Sequence, residues 1–249
     1  MLDAHCHLDD PRFDADRDAV IARAWAAGLT GIVVPGVTPD RWRHLPDLAR
    51  QHPRIRIGFG LHPEALAQLR PAKVQAGLAD LPVWLRDHGA ACVGETGLDR
   101  RSAVPLPEQI RLTRAHLALA AELELPVVLH CVRAHAALLE VLEEHGPLRG
   151  LLHAYSGSAE LVPRYLELGL HLSFGGATTW PEARRPLRAL REVPAERLLL
   201  ETDAPDQAPA SCRGGRNEPG FLPEIAARVA EARGCANIAS GFALGWASA

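Results

Sequence analysis

Seven residues able to bind metals or move protons each follow a short apolar run. His5 and His7 stand in "LDAHCHLDD", His62 in "GFGLHP", Glu95 in "CVGETGLD", His130 in "PVVLHC", His153 in "GLLHAYSG" and Asp203 in "LLLETDAP". A single histidine at such a place is ordinarily a satisfied core or surface residue. Four imidazoles (His5, His7, His130 and His153) and two carboxylates converging on one mouth are another matter. They are costly to bury without a partner, and a divalent metal is the simplest partner. Imidazole with carboxylate suits Zn²⁺, Mn²⁺, Fe²⁺ or Ni²⁺, whereas Mg²⁺ prefers mostly oxygen. Positions i and i+2 of a strand share a face, so His5 and His7 can chelate one ion. Cys6, between them, points away and reads as a small apolar filler.

The elements that must position these groups alternate regularly. The strand runs are "LDAHCHL", "TGIVVPGV", "IRIGFGLHP", "ACVGETGLD", "PVVLHCV", "GLLHAYSG", "LHLSFGG" and "RLLLETDAP", and each is followed by a helical pattern. Helices are expected over "ADRDAVIARAWAAG", from about Pro39 to Gln51, up to "WLRDHG", and over "EQIRLTRAHLALAAELE", the clearest of all. The later ones are "HAALLEVLEEHG", "AELVPRYLELG", a stretch to about Glu192, and "LPEIAARVAEARG". Short apolar runs without alternation suit strands buried on both faces of a parallel sheet. His5 to Asp203 spans 198 residues over seven intervals, about 28 each, near the ~30 of a βα unit. Eight units in one chain of 249 residues predict a single-domain (β/α)8 TIM barrel over residues 1–249, with chemistry at the C-terminal strand ends. No glycine-rich phosphate fingerprint follows the first strand, which argues against an open doubly wound sheet.

Composition narrows the classes further. Hydrophobic residues make up 47% and charged residues 23%, ordinary for a globular chain. No apolar run approaches the ~20 residues of a membrane span, and no basic-then-apolar leader is present. The five cysteines form no CxxC pair, which suits a reducing cytoplasm. The net charge of −3 excludes broad, non-specific coating of nucleic acid but not a local phosphate site.

The motifs "DAHCHLD", "GETGLD", "PVVLHC", "LHAYSGS", "LETDAP" and "RNEP", in this order from residue 1 to about 233, resemble the TatD family of metal-dependent hydrolases within the amidohydrolase superfamily. The resemblance implies a TIM barrel with a two-metal centre and phosphodiester hydrolysis, as a deoxyribonuclease with 3'-5' exonuclease activity on single-stranded DNA. It implies a first metal held by His5, His7, Glu95 and Asp203. Glu95 would bridge to a second metal, completed by His130 and His153. Glu95 and Asp203 would be the catalytic carboxylates, and the cofactors two divalent ions among Zn, Mn, Mg, Ni and Co. A shared carboxylate fits the ~3.5–4 Å metal spacing that clamps attacking and leaving oxygens.

The chain departs from the family pattern in three places. Arg100 stands where a tyrosine often follows "GLD". Cys131-Val132 replaces a serine-arginine pair, leaving Arg133 to contact phosphate. Residues 235–249, "CANIASGFALGWASA", carry no charge and read as an atypical tail in which Asn237 and Phe242 fit a closing helix poorly.

Candidate substrate contacts are His62, Arg133, Arg216 and Asn217, with Arg213 beside them and Gly175-Gly176 lining the mouth. Few basic residues face that mouth, so a short footprint on a strand end is expected. The expected partner is DNA or another phosphodiester, with no membrane and no obligate protein partner. An amidase or esterase, such as an aminoacyl-RNA deacylase, is the alternative, because the same ligands can serve attack on carbonyl carbon. A non-enzymatic metal-binding scaffold would not need an open mouth.

Overall fold

A computed structural model describes residues 1–235 and Leu244. Eight parallel strands follow one another around a barrel: β1 (Leu2–Asp3), β2 (Gly31–Pro35), β3 (Ile55–Phe59), β4 (Cys92–Asp99), β5 (Val127–Val132), β6 (Gly150–Leu152), β7 (Leu170–Phe174) and β8 (Leu198–Leu200). β8 meets β1 through Ala4 N–H donating to Leu200 O at 2.9 Å and Asp203 N–H donating to His5 O at 2.9 Å. The TIM-barrel expectation is met.

Among the described residues the helices are α1 (Arg17–Ala26), α2 (Pro39–Trp42), α3 (Leu45–Gln51), α4 (Pro63–Leu66), α5 (Pro71–Asp87), α6 (Leu106–Glu122), α7 (His135–His145), α8 (Val162–Glu167), α9 (Arg184–Glu192) and α10 (Leu222–Arg233). The helix expected from Pro39 to Gln51 is broken in two. Pro46 lies in the first turn of α3, where its missing N–H costs nothing, but it cannot continue a helix from α2. Proline opens α2, α4 and α5 for the same reason.

Strand parity sorts the apolar residues into two groups. Leu2, Ala4, Val33, Cys92, Val128, Leu151 and Leu199 come from six different strands or strand ends yet pack together, which only the barrel interior permits. Their neighbours Ile32, Val34, Val127, Leu129, Leu198 and Leu200 join the larger core against the helices. Leu244 is 3% exposed and belongs to the interior group. Cys235 is exposed; Asn237, Phe242 and the rest of the expected tail lie outside the described residues.

Two strands break this parity near the mouth. In β4 the register shifts between Val93 and Thr96, so Glu95 turns inward although Cys92, three residues earlier, already faces in. Gly94 and Gly97 flank it, both with φ of 142°. A Cβ on Gly97 would stand 2.0 Å from His130 O, so no larger residue fits without moving His130. In β1 the expected strand "LDAHCHL" is corrected to a two-residue ladder. Beyond it the Asp3 carboxylate accepts from His5 N–H (3.3 Å) and Thr202 N–H (2.9 Å), and the chain turns His5 and His7 toward the interior.

Helix α6 braces the irregular β4 with polar side chains at helical spacing. Gln109 accepts from Asp99 N–H at 2.7 Å and donates to Asp99 O at 3.0 Å. Thr113 donates to Gly97 O at 3.3 Å. His116 Nε2 accepts from Leu61 N–H at 3.1 Å, and its Nδ1 meets Leu112 O at 2.8 Å. These buried donors and acceptors stand in for ladder bonds where the strand is irregular.

Burial holds the His116 pKa down to about 4, against about 6.5 in an unfolded chain. Between those values only the unfolded chain binds the proton, so this stability is full above pH 6.5 and is lost as pH falls toward 4. The His116→Gln variant should therefore lose less stability than the parent between pH 7 and pH 5, by roughly 2 kcal/mol. Urea melts at the two pH values check this; parallel losses in both proteins would contradict it.

Candidate metal centre

The strand ends bring His5, His7, Glu95, His130, His153 and Asp203 together at the C-terminal mouth, in a cavity of 660 Å³ lined in part by His7, Glu95, His130, His153 and Asp203. His62 joins them. The parity of β5, β6 and β8 explains three of these. His130 follows Val128, His153 follows Leu151, and Asp203 follows Leu199 at even spacing.

The two oxygens of Glu95 face different groups. Oε2 lies 3.2 Å from His5 Nε2 and 3.3 Å from His7 Nε2. Asp203 Oδ1 stands 3.5 and 3.6 Å from the same two nitrogens, which are 3.2 Å apart. Ligands about 2.0–2.1 Å from a shared tetrahedral centre lie ~3.3 Å from one another, so the His5, His7 and Glu95 atoms fit one cation, with Asp203 Oδ1 near both nitrogens. Glu95 Oε2 is buried and hydrogen-bonds to nothing, although two ring nitrogens are near. Closeness without hydrogen-bond alignment is what a common cation requires.

Glu95 Oε1 faces the second group. It lies 2.9 Å from His153 Nε2, 3.1 Å from His130 Nδ1 and 3.3 Å from His62 Nε2. His130 Nδ1 and His153 Nε2 are 3.1 Å apart.

Two carboxylates passed over in the sequence sit behind the histidines. Asp99 Oδ2 lies 3.0 Å from His130 Nε2, and Glu201 Oε1 lies 3.4 Å from His153 Nδ1. They leave His130 Nδ1 and His153 Nε2 facing Glu95 Oε1, free to serve as ligand atoms. Glu201 is itself held by Ala154 N–H at 2.8 Å and by the Ser173 hydroxyl. The signal was present: Glu201 is two residues before Asp203, and Asp99 four after Glu95.

The electrostatics call for positive charge. Burial works against ionising Glu95, but His62, His153, His5 and His130 outweigh it and hold the carboxyl well below its usual range. Burial likewise disfavours charged His7, His130 and His153. Glu95 and nearby carboxylates overcome it, and all three are raised. His5 is lowered by burial and by His153, whose ring stacks on it at 3.9 Å between centroids. His62 is held at about 4 by burial. Its Nδ1 accepts from Glu64 and Ala65 N–H at 3.3 and 3.4 Å, so its neutral ring carries its proton on Nε2, the nitrogen 3.3 Å from Glu95 Oε1.

The other expected substrate residues divide. Arg133 is exposed on the rim with φ of 54°, just past Cys131 and Val132, which line the cavity. Arg216 does not reach the cavity. It donates to both oxygens of Asp16 at 2.7 Å and lies over the Phe13 ring. Asn217 is corrected from a substrate contact to a loop brace: it is fully buried and donates to Thr202 O and Asp206 O at 2.8 and 2.7 Å. Two cavity residues were missed. Arg101 is 51% exposed and donates to Asp99 at 2.9 Å, and Gln207 donates to Asp203 Oδ2 at 2.5 Å.

Comparison with known proteins places this geometry. The family described as "TatD related DNase" matches residues 2–239. "Uncharacterized metal-dependent hydrolase YabD" of Bacillus subtilis is 32% identical over 238 residues, 93% of this chain and 90% of that protein. "3'-5' ssDNA/RNA exonuclease TatD" of Salmonella typhimurium is 36% identical over 247 residues, 94% of this chain and 92% of that protein. The crystal structure of YjjV, a TatD homolog from Escherichia coli K12, superposes with a TM-score of 0.85 at 32% identity, covering 93% of this chain and 90% of that one.

Asp99→Asn and Glu201→Gln should each weaken divalent-metal affinity about 10- to 100-fold without unfolding the barrel, as read by metal titration with circular dichroism in parallel. Protons should compete with metal early. Because His7, His130 and His153 are raised, affinity should begin to fall at a pH above the ordinary imidazole value of about 6.5 and keep falling through it. Affinity flat through that value would contradict ligation by these imidazoles.

Proposed function

We propose, from the premise that this chain belongs to the TatD-related DNase family of metal-dependent hydrolases, that it removes nucleotides from the end of single-stranded DNA with 3'-5' polarity, and that Glu95 would serve both of two divalent cations. The observation that carries this reading is the division of Glu95 between two ligand groups, Oε2 with His5 and His7, and Oε1 with His130 and His153. Relatives that bear the name "3'-5' ssDNA/RNA exonuclease" support the substrate class.

His5, His7 and Asp203 would hold one cation, His130 and His153 the other, and Glu95 both. When bound, such ions neutralise phosphoryl charge and make a water acidic near neutral pH. Asp203 takes the proton of the attacking water. Its side chain is 12% exposed, whereas those of Glu95, Asp99 and Glu201 are at most 1% exposed, so it is the carboxylate of this set that substrate can approach. Gln207 holds Asp203 Oδ2 in place. His62, neutral by burial, donates its Nε2 proton to a phosphate oxygen. Arg101, half-exposed over Asp99, and Arg133 on the rim supply cationic contacts to flanking phosphates.

With few cationic groups at the mouth, the footprint is short and end-directed. The native metal is a member of the Zn, Mn, Mg, Ni and Co set, and the compartment is the cytoplasm. Among the described residues no helix is long and apolar enough to cross a membrane.

End-labelled linear single-stranded DNA should be shortened progressively in Mn²⁺ or Mg²⁺, while circular DNA of the same sequence survives. Asp203→Asn should lower kcat roughly 100- to 10,000-fold, the scale of a lost general base. Equal cutting of circular DNA would contradict end-directed action. Turnover of an aminoacyl ester with no cleavage of DNA would assign the site to acyl transfer instead.

A further inference from the structure

A second cavity opens beside the metal pocket. Its volume is 780 Å³, and Asp206 and Gln207 line both. Trp180 and Arg213 line the new cavity as a pair, with the guanidinium 4.7 Å from the indole centroid. The indole is fixed by its Nε1 donating to Ala208 O at 2.9 Å. Arg12 and Arg216 complete the cationic lining. Trp180, Arg213, Arg12 and Arg216 stand away from the metal pocket's lining, so hydrolysis alone leaves them without a task.

Arg213 and Arg216 are each matched to one carboxylate, and Arg12 to two, Asp206 and Asp10. Arg12 donates to both oxygens of Asp206 at 2.8 and 2.7 Å, Arg216 to Asp16, and Arg213 to Glu182. Exposed pairs of this kind hold weakly, so a phosphate can replace a carboxylate without large loss. A fixed aromatic plane with a guanidinium against it recognises flat π systems, and the arginines recognise anions. A nucleotide offers both in one unit. The metal pocket shares Asp206 and Gln207 with this cavity, so a strand held at the first can continue into the second. The edge formed by Asp206 and Gln207 leads into this cavity.

We infer that the cavity is a subsite for the nucleotide adjoining the scissile phosphate on the retained strand, its base stacked on the Trp180–Arg213 pair and its phosphate held by Arg12. The inference rests on the nuclease reading above. Stacking accepts every base, so the subsite favours polynucleotide over mononucleotide without selecting sequence. Arg213 thus becomes a specificity-determining contact through its place on the indole.

The test compares kcat/KM for a short oligothymidylate with that for thymidine 5'-p-nitrophenyl phosphate, which has no second nucleotide. In Trp180→Ala the ratio of the two should fall about tenfold, the size of one base-stacking contact, with the change carried by KM for the oligonucleotide. Arg213→Ala, on an exposed loop, should lower it less, and Trp180→Phe should restore most of it. Equal losses on both substrates, or an unchanged ratio, overturn the subsite while leaving the nuclease reading intact. Fluorescence anisotropy with labelled oligothymidylate separates the two: wild-type protein that neither binds nor cuts it overturns the nuclease reading and the subsite together.

Discussion

The Glu95 carboxylate is the constraint on which the site depends. It is 1% exposed and surrounded by ring nitrogens of His5, His7, His62, His130 and His153, all within 3.3 Å of one of its oxygens. An ionised carboxylate in such a place is tolerated only if positive charge is close. Asp203 adds a second negative charge at the mouth, and Asp99 and Glu201 lie behind the histidines. Protons on three imidazoles can supply part of the balance. Divalent cations supply it more completely and leave the imidazoles neutral. The same demand explains why the donors converge with spacings suited to a cation rather than paired off in aligned hydrogen bonds.

Bringing Glu95 to that point requires the barrel to break its own regularity. A parallel strand in a closed barrel alternates interior and exterior residues. Strict alternation from Cys92 would turn Glu95 toward the helices. The extra residue in β4 reverses it, glycines on either side admit the backbone path, and α6 supplies bonds to β4 from Gln109 and Thr113 and one to Leu61, past the end of β3, from His116. The first strand does the same by a different route, with the Asp3 side chain occupying the place of a backbone acceptor. The regular strands β5, β6 and β8 need no such device.

Much of the fold was legible in the sequence because eight apolar runs and eight helical patterns recur at one spacing. The six ligand-type residues were legible because each ends an apolar run. Alternation made His5 and His7 share a face, but it could not reveal that the inward parity of the first strand switches after Ala4, where the Asp3 side chain is held by Thr202, 199 residues away. Asp99 and Glu201 were hidden within motifs whose neighbouring carboxylate had already drawn attention. Asn217 and Arg216 looked like substrate contacts because a loop after the eighth strand commonly binds phosphate. The structure gives Asn217 to the loop backbone and Arg216 to Asp16, partners that sequence spacing does not expose. Arg101 was obscured by Arg100, the residue that occupies the expected tyrosine position.

Anomalous diffraction from crystals grown with Mn²⁺ tests most directly whether two cations share Glu95. Two peaks about 3.5–4 Å apart, one against each Glu95 oxygen, are expected. A single peak, or two peaks neither of which Glu95 bridges, would contradict the shared carboxylate and the mechanism built on it.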